Sequence, residues 1–137
     1  MARHSRTVVE EIGDRLLLLY LLKNLRPCSC TGDTKIQGLV FLSQLDMRTD
    51  CVKGFNFYFF KSNHGPFSRQ LEGDLAVLEE WGVYLPDEHK LTSLGRQIVE
   101  WLTGLWYKNH DVVAYVDRVL GKFGGQSTGA VLSYVYD

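Results

Sequence analysis

Three cysteines and four histidines are the residues of this chain best suited to metal or nucleophilic chemistry. Cys28-x-Cys30, joined by Cys51 and one of His4, His64, His89 or His110, would supply four ligands for a tetrahedral zinc. Zinc sites normally carry two close cysteine pairs. Here the second pair is missing, so the spacing reads as free thiols and no metal is expected. His64 stands near Cys51 and Ser68 in the chain, but no third residue is identifiable to orient its imidazole as a base. The cluster Gly121-Lys122-Phe123-Gly124-Gly125 lacks the preceding strand and the spacing of a phosphate-cradling loop, and reads as a hinge between helices. Without a general acid–base pair in a supporting context, neither catalysis nor a cofactor is expected.

Recognition of a polyanion is the next chemistry to weigh. Residues 68–90 contain Arg69 and Lys90 against Glu72, Asp74, Glu79, Glu80, Asp87 and Glu88, a formal charge of −4. Phosphate binding needs the opposite sign. The whole chain, with 15 basic and 16 acidic residues, carries −1, so it has no general attraction to nucleic acid or anionic lipid. A nucleic-acid site would therefore be a local patch, drawn from Arg3, Arg6, Lys61, Arg69, Gln70 and Lys90, with the basic N-terminus as a short arm. DNA binding by a transcriptional regulator is accordingly the alternative reading.

Large apolar and aromatic groups point elsewhere. The chain has seven Phe, seven Tyr and three Trp, and most of them must be core. A domain of this size does not easily hide them all, and those left at the surface favour protein interfaces. The turn around His64, with Tyr58, Phe60, Pro66 and Phe67, is the expected partner contact, and helix 1 is a second candidate.

Periodicity defines the elements that must hold these groups. Helical spacing of Val9, Ile12, Leu16 and Leu19 predicts a first helix over residues 5–26, ended by Pro27. A second should start at Asp33 or Thr34, with Thr34 and Gln37 at capping-box spacing, and fade near Met47. The aromatic run over residues 54–61 suits a strand covered on both faces, followed by a turn at residues 63–66. Ser68 caps a third helix with core face Leu71, Leu75, Leu78 and Trp81, stopped by Gly82. Residues 83–85 and 90–91 then outline a wing around a tight turn. Thr92 or Ser93 caps a fourth helix presenting Leu94, Ile98, Leu102 and Leu105. A fifth, over residues 111–120, turns Val112, Val116 and Val119 inward, and a short apolar segment follows over residues 130–136.

A chain of 137 residues with 45% hydrophobic and 23% charged side chains is the size and composition of one globular domain. The expected fold is mainly α with a small β component: a winged-helix-like core over about residues 5–107, braced by C-terminal helices over about 108–136. The longest apolar run, residues 16–22, falls far short of the roughly 20 residues that span a bilayer, so no membrane association is expected. The basic N-terminus leads into no signal-peptide core. That absence and the odd cysteine count predict a cytoplasmic protein.

Specific segments sharpen the fold expectation. Residues 36–42 (IQGLVFL), Phe57-Tyr58-Phe59, His64-Gly65-Pro66-Phe67-Ser68, Asp74-Leu75-Ala76-Val77-Leu78, Leu91-Thr92-Ser93-Leu94-Gly95 and the ending Val131-Leu132-Ser133-Tyr134-Val135-Tyr136 resemble the phage-associated YwgA-like family, which looks related to the Panacea antitoxin group. The likeness runs over roughly residues 10–136. It departs at Gly38, where the family usually has Lys, and at His64, where it usually has Tyr. The resemblance implies a winged-helix fold and a protein that acts by binding proteins. The expectation for function is thus a non-catalytic interaction module of the antitoxin, adaptor or phage-defence kind, with a partner protein as ligand and homodimerisation left open.

Overall fold

The computed structural model describes residues 6–25, 33–63, 65–106, 110–124 and 131. Helix α1 (Val8–Asn24) is followed by α2 (Asp33–Thr49), the hairpin β1 (Phe60–Ser62) and β2 (Gly65–Phe67), α3 (Arg69–Glu80), the hairpin β3 (Tyr84–Leu85) and β4 (Lys90–Leu91), α4 (Ser93–Trp106) and α5 (His110–Phe123). The fold is mainly α with a small β component. β3 and β4 pair antiparallel in the wing position, with Tyr84 opposite Leu91. α5 packs on α2 and α1.

Side-chain caps start α1, α3 and α4. Thr7 caps α1 in a full capping box: its hydroxyl accepts from the Glu10 amide at 3.1 Å, and Glu10 accepts from the Thr7 amide at 2.9 Å. Ser68 caps α3 through the Leu71 amide. Thr92 caps α4 by accepting from the Gly95 amide, while its hydroxyl donates to the Gly82 carbonyl and so ties the wing to the helix that follows. Gly82 ends α3 with φ +75, a left-handed conformation that a side chain would strain. Gly95 lets α4 lie directly on the wing, because a Cβ there would collide with the Val83 carbonyl oxygen.

The core comprises Leu17, Leu18, Leu19, Leu21 and Leu22 of α1, Ile36, Leu39 and Val40 of α2, Phe55 and Phe57, Leu71 and Leu78, Val99, and Val116 and Val119. Several faces differ from the periodicity reading. Val9 and Ile12 are exposed, because the buried stripe of α1 begins at Asp14 and widens around the leucine run. On α3 the buried positions are Leu71, Asp74 and Leu78, so Trp81 is left 51% exposed under the guanidinium of Arg15. On α4 Leu102 is buried and Ile98 packs against the core, as the spacing predicts, while Leu94 is exposed and Gly95 and Val99 are buried in its stead; the Leu105 side chain lies outside the described ones. α5 continues to Phe123, so Gly121, Lys122 and Phe123 of the expected hinge are helical instead, and Gly125 lies outside the described residues.

The largest departure concerns residues 52–59. They run extended but join no sheet, and only Phe60–Ser62 pairs, with Gly65–Phe67. Burial alternates rather than covering both faces: Phe55 and Phe57 enter the core, while Tyr58 and Phe60 are 45% and 37% exposed. What replaces a neighbouring strand is a set of side-chain amides.

Candidate protein interface

Gln37 and Gln44 lie seven residues apart on one face of α2, and both are buried. The Gln44 amide accepts from the Phe57 N–H at 2.8 Å and donates to the Phe57 carbonyl at 2.8 Å. Gln37 does the same for Ser68, at 2.9 and 3.1 Å. A primary amide presents a donor and an acceptor side by side, so each glutamine stands in for one residue of a β partner and satisfies buried backbone groups. Gln70 accepts from the Tyr58 N–H at 2.9 Å on the next residue along. Gln37 therefore works in the core rather than in the capping box expected with Thr34.

A buried ionic cluster fixes the other side of this segment. Arg6 donates to Asp14 at 2.9 Å and, through both terminal nitrogens, to Asp74 at 2.7 and 3.0 Å. Arg15 donates from Nε to Asp74 at 3.0 Å. Asp14 also accepts from the backbone and side-chain nitrogens of Asn56 at 2.9 and 3.1 Å. α1, α3 and the extended segment thus share one hydrogen-bonded network. Burial pushes the Asp14 carboxyl up to about 6, against the opposing pull of Arg6 and Asn56. For Arg6, burial acts to lower its pKa, but the hydrogen bonds and charges of Asp74 and Asp14 outweigh it and hold the guanidinium above its ordinary value.

Held in this way, the segment presents a row of rings. Phe60 stands opposite Phe67 across the hairpin, with centroids 5.6 Å apart in an edge-to-face pair, and Arg69 lies over Phe60 at 6.0 Å. Beside them opens a groove of about 510 Å³. Phe41 and Phe59, edge to face at 5.3 Å, form one wall, and Phe57, with Arg6 5.1 Å over its ring, is another lining residue. Arg48 and Glu10 also line the groove. Glu10 is drawn down to about 2 by its hydrogen bond from the Thr7 amide and by Lys53 at 2.9 Å. The lining mixes aromatic rings with a larger share of polar surface and with opposite charges, and none of these groups forms a nucleophile–base pair.

The structure pairs Phe60 with Phe67, exposes Tyr58 two residues before Phe60, buries Pro66, and leaves His64 outside the described residues. Of the residues considered for nucleic acid, Arg3 lies outside the described residues, and Arg6 is committed to the buried cluster instead of a flexible arm. Lys61 is exposed on β1, Arg69 stacks on Phe60, Gln70 holds Tyr58, and Lys90 pairs with Glu88 at 3.4 Å. Asp74, counted in the sequence as one of six carboxylates opposing phosphate, is internal and paired. Residues 68–90 therefore keep two cations against five carboxylates, a formal charge of −3.

Cys51 is exposed, Cys28 and Cys30 lie outside the described residues, and among the described residues no three His, Cys, Asp or Glu are placed to hold a metal ion. Ser68 is buried and spends its hydroxyl on the helix cap. Sequence reasoning missed Asp14, Gln44 and Glu10. The Thr7-x-x-Glu10 spacing signals the cap, and two glutamines seven residues apart on an otherwise apolar helix face are the only local sign of the amide braces. Among the described residues, no helix is long and apolar enough to cross a membrane. No protein-family model, curated protein or solved structure matches the chain.

Proposed function

We propose that this chain is a non-catalytic winged-helix interaction module, of the antitoxin, adaptor or phage-defence-associated kind, that docks its aromatic edge and acidic α3 surface onto a partner protein in the cytoplasm. The observation that carries the reading is the exposure of Tyr58 and Phe60 on a backbone held rigid by Gln44 and Gln70, beside the groove. Aromatic side chains on a pre-ordered backbone bind at low entropic cost, because little remains to be fixed on association. The acidic outer surface of α3, with Glu72, Glu79 and Glu80 exposed against Arg69, supports a protein ligand over a polyanion.

Co-purification with the product of a neighbouring gene tests the proposal. A stoichiometric complex is expected with the wild-type chain, and the double variant Tyr58→Ser, Phe60→Ser should bind at least about tenfold more weakly, the loss of roughly 1.4 kcal/mol or more. DNA carried through purification, or a strongly salt-sensitive gel shift at nanomolar protein, would support the transcriptional-regulator reading instead.

A further inference from the structure

A second, smaller pocket of about 190 Å³ opens between the start of α2, helix α3 and the β3–β4 turn. Phe67, Leu75, Ala76 and Pro86 make its apolar lining, and Asp33, Glu72 and Glu79 bring three carboxylates to it. Tyr84 also lines it. That side chain is only 2% exposed, and its hydroxyl has no hydrogen-bond partner among the described residues. A buried hydroxyl without a partner is costly, and persists where a ligand completes it. We propose that this pocket receives a lysine or arginine side chain presented by a partner protein, with its alkyl stem against Phe67, Leu75 and Pro86 and its charged head among the carboxylates and the Tyr84 hydroxyl.

The chemistry selects that occupant. Glu72 and Glu79 have no ion-pair partner among the described residues, and Asp33 meets only His89, at 3.6 Å. Unbalanced negative charge beside an apolar lining matches a group that is cationic at its tip and hydrocarbon along its length. A bare divalent ion does not fit, because these carboxylates do not converge as a metal-binding set. The Tyr84 hydroxyl keeps its proton, pushed up to about 12 by burial and then by the charges of Asp33 and Glu79, so it meets a cation as a neutral acceptor. Asp33 and Glu79 are exposed side chains, free to swing aside as the guest enters.

The inference rests on the interaction-module reading only for the source of the side chain, and the test separates the two. The full-length ¹⁵N-labelled protein is titrated with N-acetyl-arginine amide and, in parallel, with N-acetyl-norleucine amide, which has a similar stem and no charge. Saturable shifts confined to the amides of Leu75, Ala76, Glu79 and Tyr84 are expected with the arginine probe alone. The double variant Glu72→Gln, Glu79→Gln should weaken that binding about tenfold, and Tyr84→Phe about three- to tenfold. Equal shifts with both probes, no localised shift with either, or arginine binding unchanged in the glutamine variant would overturn the inference. A co-purified partner that binds the glutamine variant as tightly as wild type would also overturn it, while leaving the interaction module intact. If a partner is bound through the Tyr58–Phe60 edge and its release follows loss of either surface, both stand.

Discussion

At Asp14, burial outweighs the adjacent Arg6 guanidinium and lifts the carboxyl from an ordinary 3.8 to about 6. An acid whose folded pKa lies above its unfolded value holds its proton more tightly in the folded chain, so its contribution to stability falls as pH rises from about 4 to 6. Glu10 acts in the opposite sense. Lowered from 4.5 to about 2, it contributes stability above pH 4.5 that is lost as pH drops toward 2. Denaturant melts across pH should therefore show two separable branches. Asp14→Asn is expected to flatten the branch between pH 4 and 6, and Glu10→Gln the acid branch alone; an Asp14→Asn variant that keeps the wild-type slope between pH 4 and 6 would show that another group sets it. Tyr84 offers a cleaner test of a single atom. Its hydroxyl is buried without a partner, so Tyr84→Phe should raise stability by about 1 kcal/mol or leave it unchanged in the free protein. A loss of 1 kcal/mol or more in thermal or urea unfolding would mean that the hydroxyl is already satisfied.

Among the elements, the extended segment behaves as a strand whose partner is a helix. Gln44 satisfies both backbone groups of Phe57, and removing the amide strands a buried donor and a buried acceptor together. Gln44→Ala should cost about 2–4 kcal/mol by urea denaturation and speed hydrogen exchange at Phe57. A cost below 0.5 kcal/mol, on the order of an ordinary surface substitution, would contradict the bracing role. This element also shows where local pattern stops being informative. The aromatic run at residues 55–60 is visible in the sequence, and so are the caps at Ser68 and Thr92 and the glycine stop at Gly82, because each depends on neighbours within a few residues. The burial of Asp74 depends on Arg6, 68 positions away, and on Arg15, 59 away. Spacing alone makes Trp81 a core residue and Asp74 a surface charge. The ion cluster puts Asp74 in the buried stripe of α3 and leaves Trp81 at its rim. The same long-range logic turned Gln37 from a helix cap into a brace for Ser68 and took Arg6 from a basic arm into the interior.

For the molecule as a whole, charge and aromatic exposure divide the surface into two kinds of contact. Tyr58 and Phe60 form an exposed aromatic edge, and the groove beside it carries Arg48 and Glu10 as well as rings. The face carrying Glu72, Glu79 and Glu80 is acidic, with its most deeply placed carboxylate already neutralised internally. A partner that reads both would offer an apolar anchor and a nearby cation, and salt should weaken the acidic contact while leaving the aromatic one largely intact. Raising salt from 50 to 500 mM should thus lower partner affinity only modestly, whereas a DNA ligand would lose several orders of magnitude over a similar range. The most direct measurement is size-exclusion chromatography with light scattering on the co-expressed pair, comparing the wild-type chain with the Tyr58→Ser, Phe60→Ser variant at matched thermal stability. The wild type should elute as a stoichiometric protein complex with no excess absorbance at 260 nm, and the variant as free components. Co-elution that survives the double substitution, or a wild-type peak carrying nucleic acid, would contradict it.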